Sequence, residues 1–208
     1  MTANTQTYTG TAPPAAYSGD WNQMEFAVRS VMAGMATTTL VQVQAVRTQG
    51  GGYVVDVQPM VAQVDGAGNA VEHGVIHGMP VWRVQGGTSA VIVEPVVGDI
   101  GVAVFCSSDI SGVKKNEAPS PPGSFRKFDW GDGIYLGGVM GAAPTQFVRM
   151  DVAGITLTSP TAVTVDTPTA TFTGNIVTGP GSTFGGKSFD THTHSGVQTG
   201  GGASGPPT

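Results

Sequence analysis

A single cysteine, Cys106, stands among 208 residues, so no intrachain disulfide is available and a stapled extracellular scaffold is excluded. Charge is almost as scarce. Only 11% of the residues are charged, and Lys+Arg 9 against Asp+Glu 14 leaves a formal net charge of -5. Binding nucleic acid by neutralising phosphates needs the opposite balance, so no nucleic-acid partner is expected. The same scarcity excludes a disordered chain expanded by its own charge. No run approaches the roughly 18 consecutive apolar residues of a membrane span. Residues Met1 to Gly19 have neither the basic start nor the apolar centre of a secretory signal, so cytoplasmic synthesis is expected, with any membrane role exercised from outside. There is no phosphate-cradling glycine motif, no GxSxG elbow and no HExxH, and no enzyme activity is expected.

Glycine and proline are abundant, Gly 32 and Pro 14, and they punctuate three zones of different periodicity. In Asp20 to Met35 the residues Trp21, Met24, Val28, Val31 and Met35 recur at spacings of three and four, with Met32 widening the stripe. This predicts an amphipathic helix with Asp20 and Gln23 as a capping box. About two heptads are marginal alone in water, so the stripe needs a partner, either its own domain or copies of itself.

From Thr38 the pattern becomes short β-type runs bounded by turn residues: Leu40 to Arg47, Tyr53 to Val64, Val71 to Val84, Ala90 to Glu94, Val102 to Cys106 and Ile134 to Leu136. Asp65-Gly66-Ala67-Gly68-Asn69 predicts a hairpin connection between two long strands, and Ser107 to Phe128, with three prolines, a long exposed loop. A small Greek-key barrel of the oligonucleotide/oligosaccharide-binding (OB) type fits the count and length, with a sandwich as the other candidate.

Beyond about Ala142 the chain turns threonine- and glycine-rich, and from Asp151 onward only Asp151, Asp166, Lys187 and Asp190 are charged. Ser159-Pro160-Thr161-Ala162 recurs eight residues later as Thr167-Pro168-Thr169-Ala170, among alternating apolar pairs Ile155 with Leu157, Val163 with Val165 and, more weakly, Ala170 with Phe172. Short strands with regular corners indicate a β-solenoid or wound prism. So few inward apolar residues do not offset the entropy of ordering one chain. Three chains wound about one axis do, because each pair meets its equivalents and neighbours close the strand edges.

The compact constellation of candidate ligands is Thr191-His192-Thr193-His194-Ser195. On an extended strand residues i and i+2 face the same way with Cα atoms roughly 6.6 Å apart, which lets two imidazoles converge on one ion. Two ligands per chain are too few. A monomer would complete the shell with carboxylates or water, whereas a threefold trimer brings six imidazole nitrogens in an octahedral arrangement suited to iron, cobalt or nickel. Spacing alone does not choose among these metals. His73 and His77 lie about 13 Å apart if on a strand, too far to share an ion, and are expected to be structural or surface residues. Cys106 ends an apolar run and is expected to be a buried, inert thiol. Asp99, Asp129 and Asp132 each adjoin glycine and fit turns; nothing selects two of them as a glycosidase pair.

The segment Pro95 to Ile110, the segment Arg126 to Gly138 and the ending Thr191-His192-Thr193-His194-Ser195-Gly196, closing on Gly205-Pro206-Pro207, resemble the central baseplate spike, or membrane-piercing needle, of contractile-tailed bacteriophages of the Mu type. The resemblance covers nearly the whole chain; Ser195 departs from it, at a position where that family often has proline.

It implies an all-β chain: an N-terminal arm and helix (1–37), an OB-fold domain (38–142), an intertwined trimeric β-helix (143–188) and a metal-bound apex with tail (189–208). It further implies a homotrimer in the virion baseplate, made in the host cytoplasm and seated on a tail tube or baseplate hub protein. That trimer pierces the bacterial outer membrane when the tail contracts, and His192 and His194 of three chains hold one iron ion. The competing expectation is a carbohydrate-binding tail module on a trimerising stalk, with Trp82, Trp130 and Tyr135 as its aromatic platform. A carboxylate hydrolase of cell-wall glycan ranks third.

Overall fold

The computed structural model describes residues 18–65, 67–188 and 200. The chain divides into two compact units, Met1–Pro144 and Thr145–Thr208. Strand outweighs helix by 37% to 13%, which places the protein in the mostly β class.

The first unit begins with α1 (Asp20–Ala33). Gly19, not Asp20, occupies the position before the first turn, and no side chain caps the helix. The predicted capping box is therefore not formed: Asp20 is already helical. The start is held instead by the Gln23 N–H donating to the Gly19 carbonyl at 3.1 Å and by the Asn22 amide donating to Ser18 Oγ at 2.8 Å. After the helix the chain enters the barrel at Ala36, which is buried and donates its N–H to the Phe128 carbonyl at 2.8 Å.

Five strands make the main sheet: β1 (Thr38–Gln49), β2 (Gly52–Pro59), β5 (Ile76–Pro80), β8 (Ile100–Phe105) and β9 (Gly133–Met140), in the order β5-β2-β1-β8-β9, each neighbour antiparallel. The outer edges meet through a parallel bridge between Val81 and Tyr135. There the Trp82 N–H donates to the Tyr135 carbonyl at 2.8 Å while the Val81 N–H reaches back to Tyr53 at 3.0 Å. Joining first edge to last removes the exposed ladder ends and turns the sheet into a barrel. A bulge between Val43 and Ala45 bends the long β1, and Gly98 and Asp99 satisfy the backbone of Val43 at that bend.

Two expected strands are broken. The run from Val71 to Val84 contains β4 (Ala70–Val71), then β5, then β6 (Val84–Gly86), and the predicted long hairpin is a short one joining β3 (Gln63–Val64) to β4. Asp65 makes that turn by accepting from the Ala67 and Asn69 N–H groups, each at 2.8 Å. β6 pairs with β7 (Ser89–Val91) in a separate hairpin.

The core consists of Val41, Val43, Val55, Val57, Met79, Ala103, Phe105 and Tyr135, closed at one end by Ala36. On β8, Gly101, Ala103 and Phe105 face inward and the larger Ile100, Val102 and Val104 face the other way, half-buried. Tyr135 explains the choice. A Cβ at Gly101 would collide with the Tyr135 hydroxyl and the Gly137 carbonyl, so only glycine leaves room for the ring.

The second unit is built of hairpins. β10 (Phe147–Asp151) pairs with β11 (Gly154–Thr158), Val148 lying opposite Leu157 and Met150 opposite Ile155. β12 (Thr183–Phe184) and β13 (Lys187–Ser188) are joined by Gly185 and Gly186 with φ of 55° and 75°, the conformation of a tight primed turn. Residues 159–182 form no strand in this single chain, so the alternation at Val163, Val165, Ala170 and Phe172 has no ladder to express it. Strands need hydrogen-bonded neighbours, and one chain does not furnish them here.

Replacing Gly101 by alanine is expected to destabilise the barrel by about 1–3 kcal/mol through overpacking against Tyr135. Gly74→Ala, whose added Cβ meets nothing within 4 Å, is the control. Thermal denaturation followed by circular dichroism checks both; equal midpoints would contradict the assigned role of Gly101.

Candidate functional site

His192 and His194, the predicted metal ligands, lie outside the described residues. What the structure describes is the approach to them. The β10–β11 hairpin is two-faced: Val148, Met150, Ile155 and Leu157 share one side, and Arg149, Asp151 and Thr156 the other. On the polar side the Arg149 guanidinium lies 4.8 Å over the Phe147 ring. The four apolar side chains are between 60% and 74% exposed. Val163, Val165 and Phe172 further along are exposed as well, and no buried hydrophobic residue comes from this unit among the described residues. A lone two-stranded hairpin is marginal in water, and one whose apolar face is wet is more so. Shortly before the expected ligands, β12–β13 reverses the chain and ends at Ser188.

The barrel carries two charged clusters. In the first, Arg47 makes a bidentate pair with Asp56 at 2.8 and 2.6 Å, and the buried carboxylate also takes the Gly78 N–H at 2.9 Å and contacts His77 Nδ1 at 2.9 Å. Arg47 holds the Asp56 carboxyl well below the usual carboxylate range, against the opposing effect of burial, with help from His77 and Gly78. His77 is thus a surface partner of Asp56, while His73 tilts against Trp130 with ring centroids 4.9 Å apart. The two histidines serve different neighbours, as structural side chains do.

The second cluster was not anticipated. Arg126 donates from Nε and Nη2 to the two carboxylate oxygens of buried Asp132 at 2.7 and 2.9 Å, and from Nη2 to buried Asp109 at 3.0 Å. Asp109 also accepts from the Ser111 N–H at 2.8 Å and from Ser124 Oγ at 2.7 Å, and Asp132 from the Ile110 N–H at 3.0 Å. The cluster stitches the Ser107 to Phe128 segment onto the barrel. That segment is no open loop: it contains α2 (Ser111–Asn116) and two anchored ends. Asp132 is not merely a turn residue; Asp99 and Asp129 do make turns, accepting from the Val96 and Gly131 N–H groups at 2.7 and 2.8 Å, and Asp129 also lies 4.0 Å from Arg126 Nε. The sequence signal for the cluster is an arginine between two aspartates in a chain so poor in charge. The other half, burial of both carboxylates, is a property of the folded loop.

Hydrogen bonds from Ser111, then Ser124 and the charge of Arg126, bring the Asp109 carboxyl down to about 2, and Arg126 lowers that of Asp132. Two carboxyls both held ionised offer no general acid, so this adjacent pair does not fit glycoside hydrolysis. No group of three or more His, Cys, Asp or Glu side chains is placed to hold a metal among the described residues. Cys106 is half-buried, less enclosed than expected, because it follows the last residue of β8, where the chain leaves the core.

The aromatic platform expected of a carbohydrate module is not assembled. Tyr135 is a core residue, its hydroxyl buried without a hydrogen-bond partner among the described residues, and burial raises its pKa. Trp130 packs edge-on against Phe105 at 5.0 Å. Trp82 alone of the three is exposed, beside a cleft of about 260 Å³ also lined by Val84, Val93, Glu94 and Leu136. Packing claimed two of the rings because a barrel this small fills its interior with its largest side chains.

Residues 188–208 match the GpV Apex motif. This is the apex of the baseplate spike protein of contractile-tailed phages, and the match covers both His192 and His194. No curated protein matches the chain.

Because both carboxyls of the Arg126 cluster titrate below their unfolded value of about 3.9, the stability they contribute is complete above that pH. It is lost as the pH falls through the folded values, about 2 for Asp109. Arg126→Ala is expected to lower the melting temperature at pH 7 by several degrees, with the loss shrinking as the pH approaches 2, since protonated carboxyls no longer need the cation. Arg29→Ala, which removes the exposed pair with Glu25, is expected to change little. Melting curves of both variants from pH 7 to pH 2 check this.

Proposed function

We propose that this protein is the central spike of a contractile-tail baseplate, a homotrimer driven through the bacterial outer membrane on contraction, with a mechanical rather than an enzymatic role. The observation that carries the proposal is the GpV Apex match at residues 188–208. The preceding segment supports it: the hairpin's apolar face and the octad pairs are surfaces that two further copies would cover. In this reading residues 143–188 wind with their equivalents into a triple β-helix. Residues 38–142 form an OB-type barrel at the base, for which the β5-β2-β1-β8-β9 order with its parallel closure at Val81 and Tyr135 speaks. The base faces a tail tube or hub protein.

A piercing tip must not fray, yet chain ends are where fraying concentrates. His192 and His194 would hold an iron ion there. The donor set fits, since neutral imidazoles suit borderline divalent metals and three chains bring six of them. When bound, the ion ties three chain ends together. The chain's own contribution is an i, i+2 spacing, which on an extended backbone turns two imidazoles one way, and a shaft nearly without charge, which lowers the cost of entering a bilayer.

The expected outcome of sedimentation combined with elemental analysis is a trimer carrying about one iron per three chains. His192→Ala with His194→Ala is expected to keep the trimer and lose the metal. A folded monomer would overturn the spike, and a double variant that retained its metal would overturn the ligand assignment.

A further inference from the structure

The α1 helix has an apolar side that the barrel does not use. None of its residues is buried, and Trp21, Met24, Val28 and Val31 are between 52% and 76% exposed. Their spacing of three, four and three is that of a two-residue heptad seam, Trp21 and Val28 at the first position and Met24 and Val31 at the fourth. Met35 continues it past the last turn. No residue of this seam is buried against the chain's own barrel, so it is open to another helix of the same kind.

We infer that α1 is an interhelical clasp, in which three copies pack side by side through this seam at the base of the trimer. The inference rests on the homotrimer proposed above. β-branched residues at both seam positions, here Val28 and Val31, shift coiled coils from two strands toward three or more. The flanks agree. Ala27 and Met32 join Val28 and Val31 in one apolar depression, so the third helix that a trimer adds meets apolar surface on both sides of the seam. Charge at the flank is already neutralised within the helix, Glu25 being paired with Arg29 at 2.7 Å.

The helix also needs the partner. Fourteen residues with no side-chain cap and no basic residue in the last turn are too few to be stable in water without packing. Three such helices would not find each other efficiently as free peptides. Each is anchored to its barrel by the Ala36 N–H, which donates to Phe128 at 2.8 Å. Chains already joined elsewhere hold their helices at high effective concentration, which makes a two-heptad clasp sufficient.

Cysteine cross-linking of the full chain tests this. In a Cys106→Ser background, first verified by its own melting curve and sedimentation, single cysteines replace Met24 or Val31 on the seam and Asn22 or Arg29 off it. Under mild oxidation the seam cysteines are expected to form interchain disulfides at least about tenfold faster than the others. A trimer without cross-links, or with cross-linking at equal rates from both faces, would overturn the clasp and leave the spike standing. A folded monomer would overturn both.

Discussion

Apolar surface that this chain cannot bury by itself is the constraint on which the rest depends. Among the described residues it runs in registered rows on the seam of α1 and on the apolar face of the β10–β11 hairpin, with the octad pairs beyond it. Water-exposed valines, methionines and leucines in registered rows are costly to leave open, and rows that regular ask for partners of the same period. The proposed trimer answers both rows with identical copies, because threefold symmetry places each row against its own equivalents.

The barrel between them is built on the opposite plan. It closes its sheet at Val81 and Tyr135, fills its interior with its own side chains and pairs its buried carboxylates with Arg47 and Arg126. The charged clusters are costly to desolvate, and their effect is to fix geometry: Arg126 pins a long proline-bearing segment, and Asp56 ties β1, β2 and β5 at one point. In the proposed spike, a barrel whose loops are pinned in this way would not give under axial force.

Legibility varied with the kind of signal. The helix from Asp20 was readable because its period is strong, while its cap was not, since Ser18 and Gly19 hold the start in a way no pattern announces. The strands of the barrel were visible as apolar runs, but the inward face of β8 was not readable: with both faces apolar, the bulk of Tyr135 decides that Gly101 turns in. Trp130 and Tyr135 looked like binding surface and are packing. The Arg126 cluster joins residues up to 23 positions apart in the chain, from Asp109 to Asp132, and local patterns do not carry such distances. The histidine pair stands out by its chemistry and its place after a threonine-rich repeat, and it lies within the residues that match the GpV Apex motif; its part as a ligand pair belongs to the proposed function.

By itself, then, the sequence determined the local periods: a helix from Asp20, and short apolar runs where the barrel strands lie. Those follow from backbone geometry, which each short stretch obeys without reference to the rest. Only the tertiary structure decided which apolar faces are spent within the chain and which are left over. That outcome depends on how the volumes of distant side chains fill one interior, and Tyr135 against Gly101 is the point at which it was settled.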